Sequence, residues 1–303
     1  MTSVFQAKKA KILEQLSTPT QDYTDASPKG SVDAPVQTLV KEINDIESLV
    51  TTSSCSGRIA IYIEGYPSVA RSSQGKGGGS WLFVSHTPLD EQVGQDASTS
   101  LFSQLLSSPQ NESHVSVSPQ MQTSTDLNSA MPSGTRLLHF KFEPLILHIL
   151  CSSLWAARKV LIASQAAGFR ESGISSVPEP ARPTNTPTST QAESTGLEQL
   201  DGRHFTEREG ADVARGGKRQ YPKRERKSQK QTLDGPVMVA VRTTGLAIDA
   251  PVGYLGEDDN IKLVVSDAYL SGLVRMGNQR FATNEERKQR LRNGIMQAFR
   301  VDD

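Results

Sequence analysis

Cysteine is nearly absent from this chain of 303 residues, which holds only Cys55 and Cys151, far apart in sequence. Two distant thiols form neither a disulfide framework nor a zinc-ligand spacing, so both are expected to be free and no metal is expected. Net charge is absent as well, because 33 basic and 33 acidic residues cancel. Affinity for a nucleic acid must then come from a local patch and not from the overall field. Long apolar runs are missing: no window reaches the roughly 20 residues that cross a bilayer. Lys8, Lys9 and Lys11 precede only a short apolar stretch, which lacks the core of a signal peptide. A globular, intracellular and cytoplasmic protein with no membrane partner follows. The usual cofactor fingerprints are lacking too. There is no G-x-x-x-x-G-K-S/T, no H-E-x-x-H, no serine elbow flanked by glycines, and no G-x-G-x-x-G after a strand. Gly77-Gly78-Gly79 opens no helix and reads as a hairpin tip. Taken alone, these absences favour a binding module over an enzyme.

Two stretches change composition sharply. No Lys or Arg occurs between Lys76 and Arg136, and residues 92–134 turn to Ser, Thr, Gln and Pro, the signature of a disordered insertion that cannot offset its ordering entropy. Residues 177–234 begin Pro-rich (Pro178, Pro180, Pro183, Pro187) and end in Arg215, Lys218, Arg219, Lys223, Arg224, Arg226, Lys227 and Lys230. That basic end is either a solvated linker or a grip for a polyanion. About 200 residues remain without the two insertions, enough for a single domain.

The remainder alternates between helix and strand patterns. Residues 4–16 read as a helix, and Ser31 is placed to cap a second one through Ser48, where Val36, Leu39, Val40, Ile43 and Ile46 recur at three and four. Thr51-Thr52-Ser53-Ser54-Cys55-Ser56-Gly57-Arg58 packs hydroxyls, a thiol and a guanidinium between two apolar segments. It reads as a strand-to-strand loop, with Gly57 available for positive φ. Strands follow at 58–64 and 81–86, then a long one at 137–151, in which Pro144 demands an edge or bulge beside Lys141 and Glu143. A helix stops at Gly168, strands recur from Val237, Ser266 caps a helix to about Gly277, and Thr283-Asn284-Glu285-Glu286 reads as the capping box of a last one. Arg287, Lys288, Arg290 and Arg292 look like its solvated face. The order predicts an α+β domain with a mixed sheet flanked by helices.

Six motifs in order carry a family resemblance: Ser27-Pro28-Lys29-Gly30-Ser31-Val32-Asp33, Thr51 to Ile59, Trp81-Leu82-Phe83-Val84-Ser85-His86, Lys141 to His148, Gly168-Phe169-Arg170-Glu171-Ser172-Gly173 and Val239-Ala240-Val241-Arg242. With Asn278, Phe281 and Asn284 near the end, this set resembles the tRNA wybutosine-synthesizing protein 3 family, in a fungal-like form carrying two insertions. The resemblance implies a methyltransferase that uses S-adenosylmethionine to methylate the N4 ring nitrogen of the tricyclic base made from guanosine 37 of phenylalanine tRNA, on a fold that is not the doubly wound, Rossmann-type methyltransferase fold. The implied partner is the anticodon loop of that tRNA, with other enzymes of the pathway, and not DNA. On this footing Asp33, Glu143 and His86 are the catalytic candidates. Ser53, Ser54, Ser56, Gly57, Arg58 and Lys29 are the cofactor candidates, and Arg170, Arg242 and Lys141 face RNA. Asp25 joins the acidic groups able to relieve the nitrogen of its proton or hold the cofactor, while each arginine suits either the cofactor carboxylate or the tRNA backbone. The rival reading is a non-catalytic tRNA-binding module.

Overall fold

The computed structural model describes residues 3–17, 32–65, 79–90, 99–113, 121–123, 135–176, 235–256 and 260–300. All of them fall in one compact unit, formed by residues 1–178 and 233–303. Lys29, Asp25, Ser31 and the basic tract at 215–230 lie outside the described residues.

The elements run α1 (Val4–Leu16), a 3-10 turn (Ala34–Val36), α2 (Gln37–Asp45), β1 (Leu49–Cys55), β2 (Arg58–Ile63), β3 (Ser80–Ser85), α3 (Leu101–Ser107), β4 (Met121–Thr123), β5 (Arg136–Glu143) and β6 (Ile146–Cys151). Then come α4 (Leu154–Ala166), β7 (Gly173–Ser176), β8 (Val237–Val241), β9 (Ile248–Leu255), β10 (Ile261–Leu263) and α5 (Asp267–Ala298). The α+β class is as expected. The strands divide between a four-stranded sheet, β1-β6-β8-β7, and a six-stranded sheet, β3-β2-β5-β9-β10-β4. Every neighbour pair among the described strands is antiparallel except β10 with β4, which makes the larger sheet mixed and excludes a doubly wound parallel arrangement.

Three connections cross from one sheet to the other: β1 to β2 at Ser56-Gly57, β5 to β6 at Pro144-Leu145, and β8 to β9 at residues 242–247. Proline explains the second. Lacking an N–H, Pro144 cannot continue the ladder, so the single long strand expected at 137–151 breaks there into β5 and β6. The hydroxyl-rich segment differs from expectation as well. Thr51 to Cys55 are strand, paired with β6 from Ile149 to Ile146, and the turn shrinks to Ser56 and Gly57. Gly57 has φ +99°, and a Cβ there would lie 2.9 Å from Asn284 Nδ2 and 3.2 Å from Glu143 O. Two chain crossings thus pass so close that only glycine fits.

Each sheet has its own core, and α5 serves both. Leu270, Leu273, Val274 and Phe281 pack with Ile59, Phe83, Phe140 and Phe142 on the larger sheet. Leu291 and Ile295 pack with Val36, Ile43, Leu147 and Val239 on the smaller one. The continuous α5 replaces the two helices expected at 266–298. Ser266 caps it, accepting from Tyr269 N. Gly277 does not end it: its missing Cβ admits Ile59, which a side chain there would meet at 2.7 Å. Thr283 Oγ1 donates to Gln279 O within the helix, and Asn284 bonds elsewhere, so the box residues cap nothing.

Two further expectations change. Residues 99–113, inside the stretch 92–134 expected to be disordered, are folded: α3 buries Leu101, Phe102 and Leu105 in the larger core. Its apolar i, i+1, i+4 pattern was hidden by the polar flanks. The second helix, expected to run through Ser48, ends at Asp45, and Asp33 precedes its 3-10 turn without a side-chain cap bond.

Candidate functional site at the junction of the sheets

Asp33, Cys55, Ser56 and His86, distant in sequence, meet where β1 leaves the smaller sheet and β3 ends. Asp33 is 6% exposed, and its Oδ2 accepts the Ser56 N–H at 2.8 Å. Its Oδ1 lies 3.5 Å from His86 Nε2. Donor atoms of Asp33, Cys55 and His86 all fall within 4.8 Å of one another, close enough to share a small cation. Sequence spacing could not reveal that grouping, because the three residues come from three elements. His86, 9% exposed, is gripped from its other side: Glu112 Oε2 is 3.0 Å from Nδ1, and Oε1 accepts the His86 N–H at 3.2 Å.

Arg58 opens β2 directly opposite Glu143 on β5, and its Nε donates to Glu143 Oε2 at 2.6 Å. The guanidinium carbon also lies 4.2 Å from the Trp81 ring centroid. Arg58 and Glu143 adjoin the buried cluster, since Arg58, Asp33 and Glu143 all act electrostatically on the Cys55 thiol. Burial pushes that thiol up to about 11; Arg58 pulls it down, and the two carboxylates add to the rise. It is a protonated, space-filling group at neutral pH and no nucleophile.

The other expected residues are scattered. Ser53 Oγ is 2.8 Å from His148 Nδ1 on an exposed part of the smaller sheet. Ser54, the next residue along β1, turns to the opposite face. Lys141 does not pair with Glu143 but bonds Asp249 at 2.8 Å, across β5 and β9. Burial raises the Asp249 carboxyl, but hydrogen bonds from Lys141 and His139 outweigh it and hold the pKa below the usual value. Arg170, in the turn between α4 and β7, and Arg242, just after β8, are both exposed, and Arg242 Nε donates to Glu171 O of that turn at 3.2 Å.

One face of α5, read from the sequence as solvated, pins these segments. Asn278 exchanges two hydrogen bonds with the Leu89 backbone, three residues beyond His86, each 2.9 Å. Asn284 Oδ1 accepts Leu145 N and its Nδ2 donates to Ser56 O, both at 2.9 Å. Arg287 donates to Gly168 O and Thr243 Oγ1. Lys288, 7% exposed, donates to Pro35 O at 2.7 Å and so holds the turn that carries Asp33. Arg290 reaches Ala167 O, and Arg292 forks onto Glu42. These polar residues repeat near the helical period, a signal for a polar stripe that meets other segments, where composition alone assigns it to solvent.

Comparison with known proteins adds an independent line. The family described as Methyltransferase TYW3 matches residues 7–297. A tRNA wybutosine-synthesizing protein 3 from Schizosaccharomyces pombe is 27% identical over 295 residues, covering 96% of this chain and 86% of that protein. The Saccharomyces cerevisiae protein of the same name is 34% identical over 180 residues, which is 57% of this chain and 59% of that one. Among solved structures, the PH1069 protein from Pyrococcus horikoshii superposes with a TM-score of 0.53 at 20% identity, covering 96% of this chain and 95% of that chain. That last likeness establishes a shared fold.

Proposed function

The chain belongs to the TYW3 methyltransferase family, and from that premise we propose that it methylates the N4 ring nitrogen of the guanosine-37-derived tricyclic base in the anticodon loop of phenylalanine tRNA, with S-adenosylmethionine as donor. The names of the relatives support a tRNA of the wybutosine pathway as substrate. The observation that carries the proposal is the buried cluster of Asp33, Cys55 and His86 beside the Arg58–Glu143 pair.

The donor set fits this cofactor. Carboxylates favour a sulfonium cation, and a guanidinium suits an amino-acid carboxylate. When bound, S-adenosylmethionine would supply an electrophilic methyl group for the attacking nitrogen. The protein must hold that nitrogen in place and accept its proton. Asp33 and His86, 3.5 Å apart, are the groups assigned to the proton. Glu143 contributes by fixing the Arg58 guanidinium, which the Trp81 ring braces from one side. Arg58 is the cofactor's carboxylate partner. Ser56 shapes the turn, its N–H held by Asp33 and its C=O by Asn284. Gly57 and, beyond the described residues, Lys29 complete the proposed cofactor contacts. Arg170, Arg242 and Lys141 are assigned to the RNA backbone, where their charges contribute affinity without reading sequence.

Calorimetry and a methylation assay test this together. The full chain is expected to bind S-adenosylmethionine and its demethylated product, and to add one methyl group to the hypomodified base of phenylalanine tRNA. Arg58→Ala should abolish transfer and weaken cofactor binding while the protein still unfolds cooperatively. A chain that binds the tRNA with no affinity for either form of the cofactor is the non-catalytic module.

A further inference from the structure

Residues 111–113 lie along the outer edge of β3, the edge strand of the larger sheet. Glu112 N donates to Val84 O at 2.7 Å, Asn111 Oδ1 accepts Val84 N at 3.2 Å, and Ser113 Oγ donates to Leu82 O at 2.9 Å. Asn111 Nδ2 reaches both Leu82 O and Leu106 O, tying this edge to α3, whose Phe102 and Leu105 are fully buried. The Glu112 carboxylate is thereby delivered to His86, where it meets the backbone N–H and Nδ1 together.

An ionised carboxylate can only accept hydrogen bonds. The ring nitrogen hydrogen-bonded to it must then carry the proton, whereas Nε2, 3.5 Å from Asp33 Oδ1, makes no hydrogen bond to a described residue that would fix a proton there, and the partner of one imidazole nitrogen decides the state of the other. We propose that Glu112 is a positioning residue for methyl transfer: it holds His86 as the Nδ1–H tautomer and leaves Nε2, on the Asp33 side, to take the proton of the substrate's ring nitrogen. The inference rests on the reading that His86 serves the methyl-transfer site. In the step itself the ring N–H bond breaks as its proton moves to Nε2. The nitrogen lone pair forms the new N–C bond, and the methyl carbon's bond to sulfur breaks with its electron pair remaining on sulfur. His86 then stands as an imidazolium between Glu112 and Asp33. The orienting carboxylate comes from within a stretch that composition marks as a dispensable insertion.

The test needs a readout of the imidazole itself. In full-length protein labelled with 15N-histidine, long-range proton–nitrogen correlation at pH 8 is expected to show His86, assigned by its loss in His86→Asn, protonated at Nδ1. Glu112→Ala should move that proton to Nε2. Glu112→Gln should lower kcat on the order of 100-fold, the low end of a general-base contribution. KM for tRNA and cofactor affinity should stay within about twofold, as for a group whose effect is confined to the transition state. Glu112→Asp should recover part of the loss. His86 protonated at Nε2 in the unmutated protein overturns the proposal without any variant having to fold, and so does a Glu112→Gln enzyme with full kcat. If the tautomer is as expected and Glu112-dependent while no tRNA is methylated, the positioning stands and the functional reading fails.

Discussion

Asn284→Ala is the substitution that most directly tests how the two sheets are joined. The side chain is 3% exposed and bridges two of the three inter-sheet crossings, accepting from Leu145 N and donating to Ser56 O. Alanine leaves one buried N–H and one buried C=O without partners. Each orphaned group costs roughly 1–3 kcal/mol, and the vacated space adds to that, so a loss of about 3 kcal/mol is expected. For a folded unit of roughly 200 residues this lowers Tm on the order of 10 °C. The loss should also reach the site. Ser56 N–H is held by Asp33, so a turn released at Ser56 O frees the Asp33 carboxylate. Denaturant unfolding gives the stability change, and calorimetry with S-adenosylhomocysteine gives the binding change. Asn284→Asp separates the two crossings, because it keeps an acceptor for Leu145 N and loses the donor to Ser56 O. A destabilisation below about 1 kcal/mol in Asn284→Ala, or a full loss with unchanged cofactor affinity, would refute the bridging role.

Gly57→Ala is expected to cost about 1–3 kcal/mol, because φ is +99° and the new Cβ would crowd Asn284 Nδ2 at 2.9 Å; an unchanged denaturation midpoint contradicts the close crossing. Burial raises the Cys55 thiol from 9.0 to about 11 and the Cys151 thiol to about 12. At pH 8 Cys55 should react with a disulfide reagent about 100-fold more slowly in the native than in the unfolded chain, and labelling at the unfolded rate would place it outside the buried cluster. The same shifts fix the alkaline limit. The unfolded chain releases its thiol protons first, so stability is intact below about pH 9 and falls as pH rises toward 11, on the order of 3 kcal/mol from Cys55 alone. A pH-independent midpoint in that window speaks against these raised values. Deleting residues 178 to 232 is expected to leave cofactor affinity unchanged, weaken tRNA binding and flatten its salt dependence, since Arg215 to Lys230 contribute counterion release. Loss of cofactor binding in that deletion would make the segment part of the site.

Local chemistry made much of this protein legible before any coordinates. Pro144 demanded an irregularity in its strand, Gly57 was free to take a positive φ, and Ser266 had to cap a helix, because each follows from what a residue does to its own backbone. The candidate residues Asp33, His86, Arg58 and Glu143 also stood out, through the motifs that carry them. What failed was every judgement that depended on which neighbour a polar side chain would find. Asn284 looked like part of a helix start, Lys288 like a solvated charge, and residues 99–113 like disordered filler. All three are decided by partners far away in sequence: Ser56 and Leu145, Pro35, and the core beneath β3. The division between two sheets belongs with them, since strand patterning reports which face of a segment is apolar and not which strand it will pair with. The sequence by itself determined the elements, their breaks and the residues able to do chemistry. Only the tertiary structure decided that Glu112 faces His86 and that one face of α5 holds the site together, because a buried hydrogen bond is chosen by spatial proximity, which composition and period do not encode.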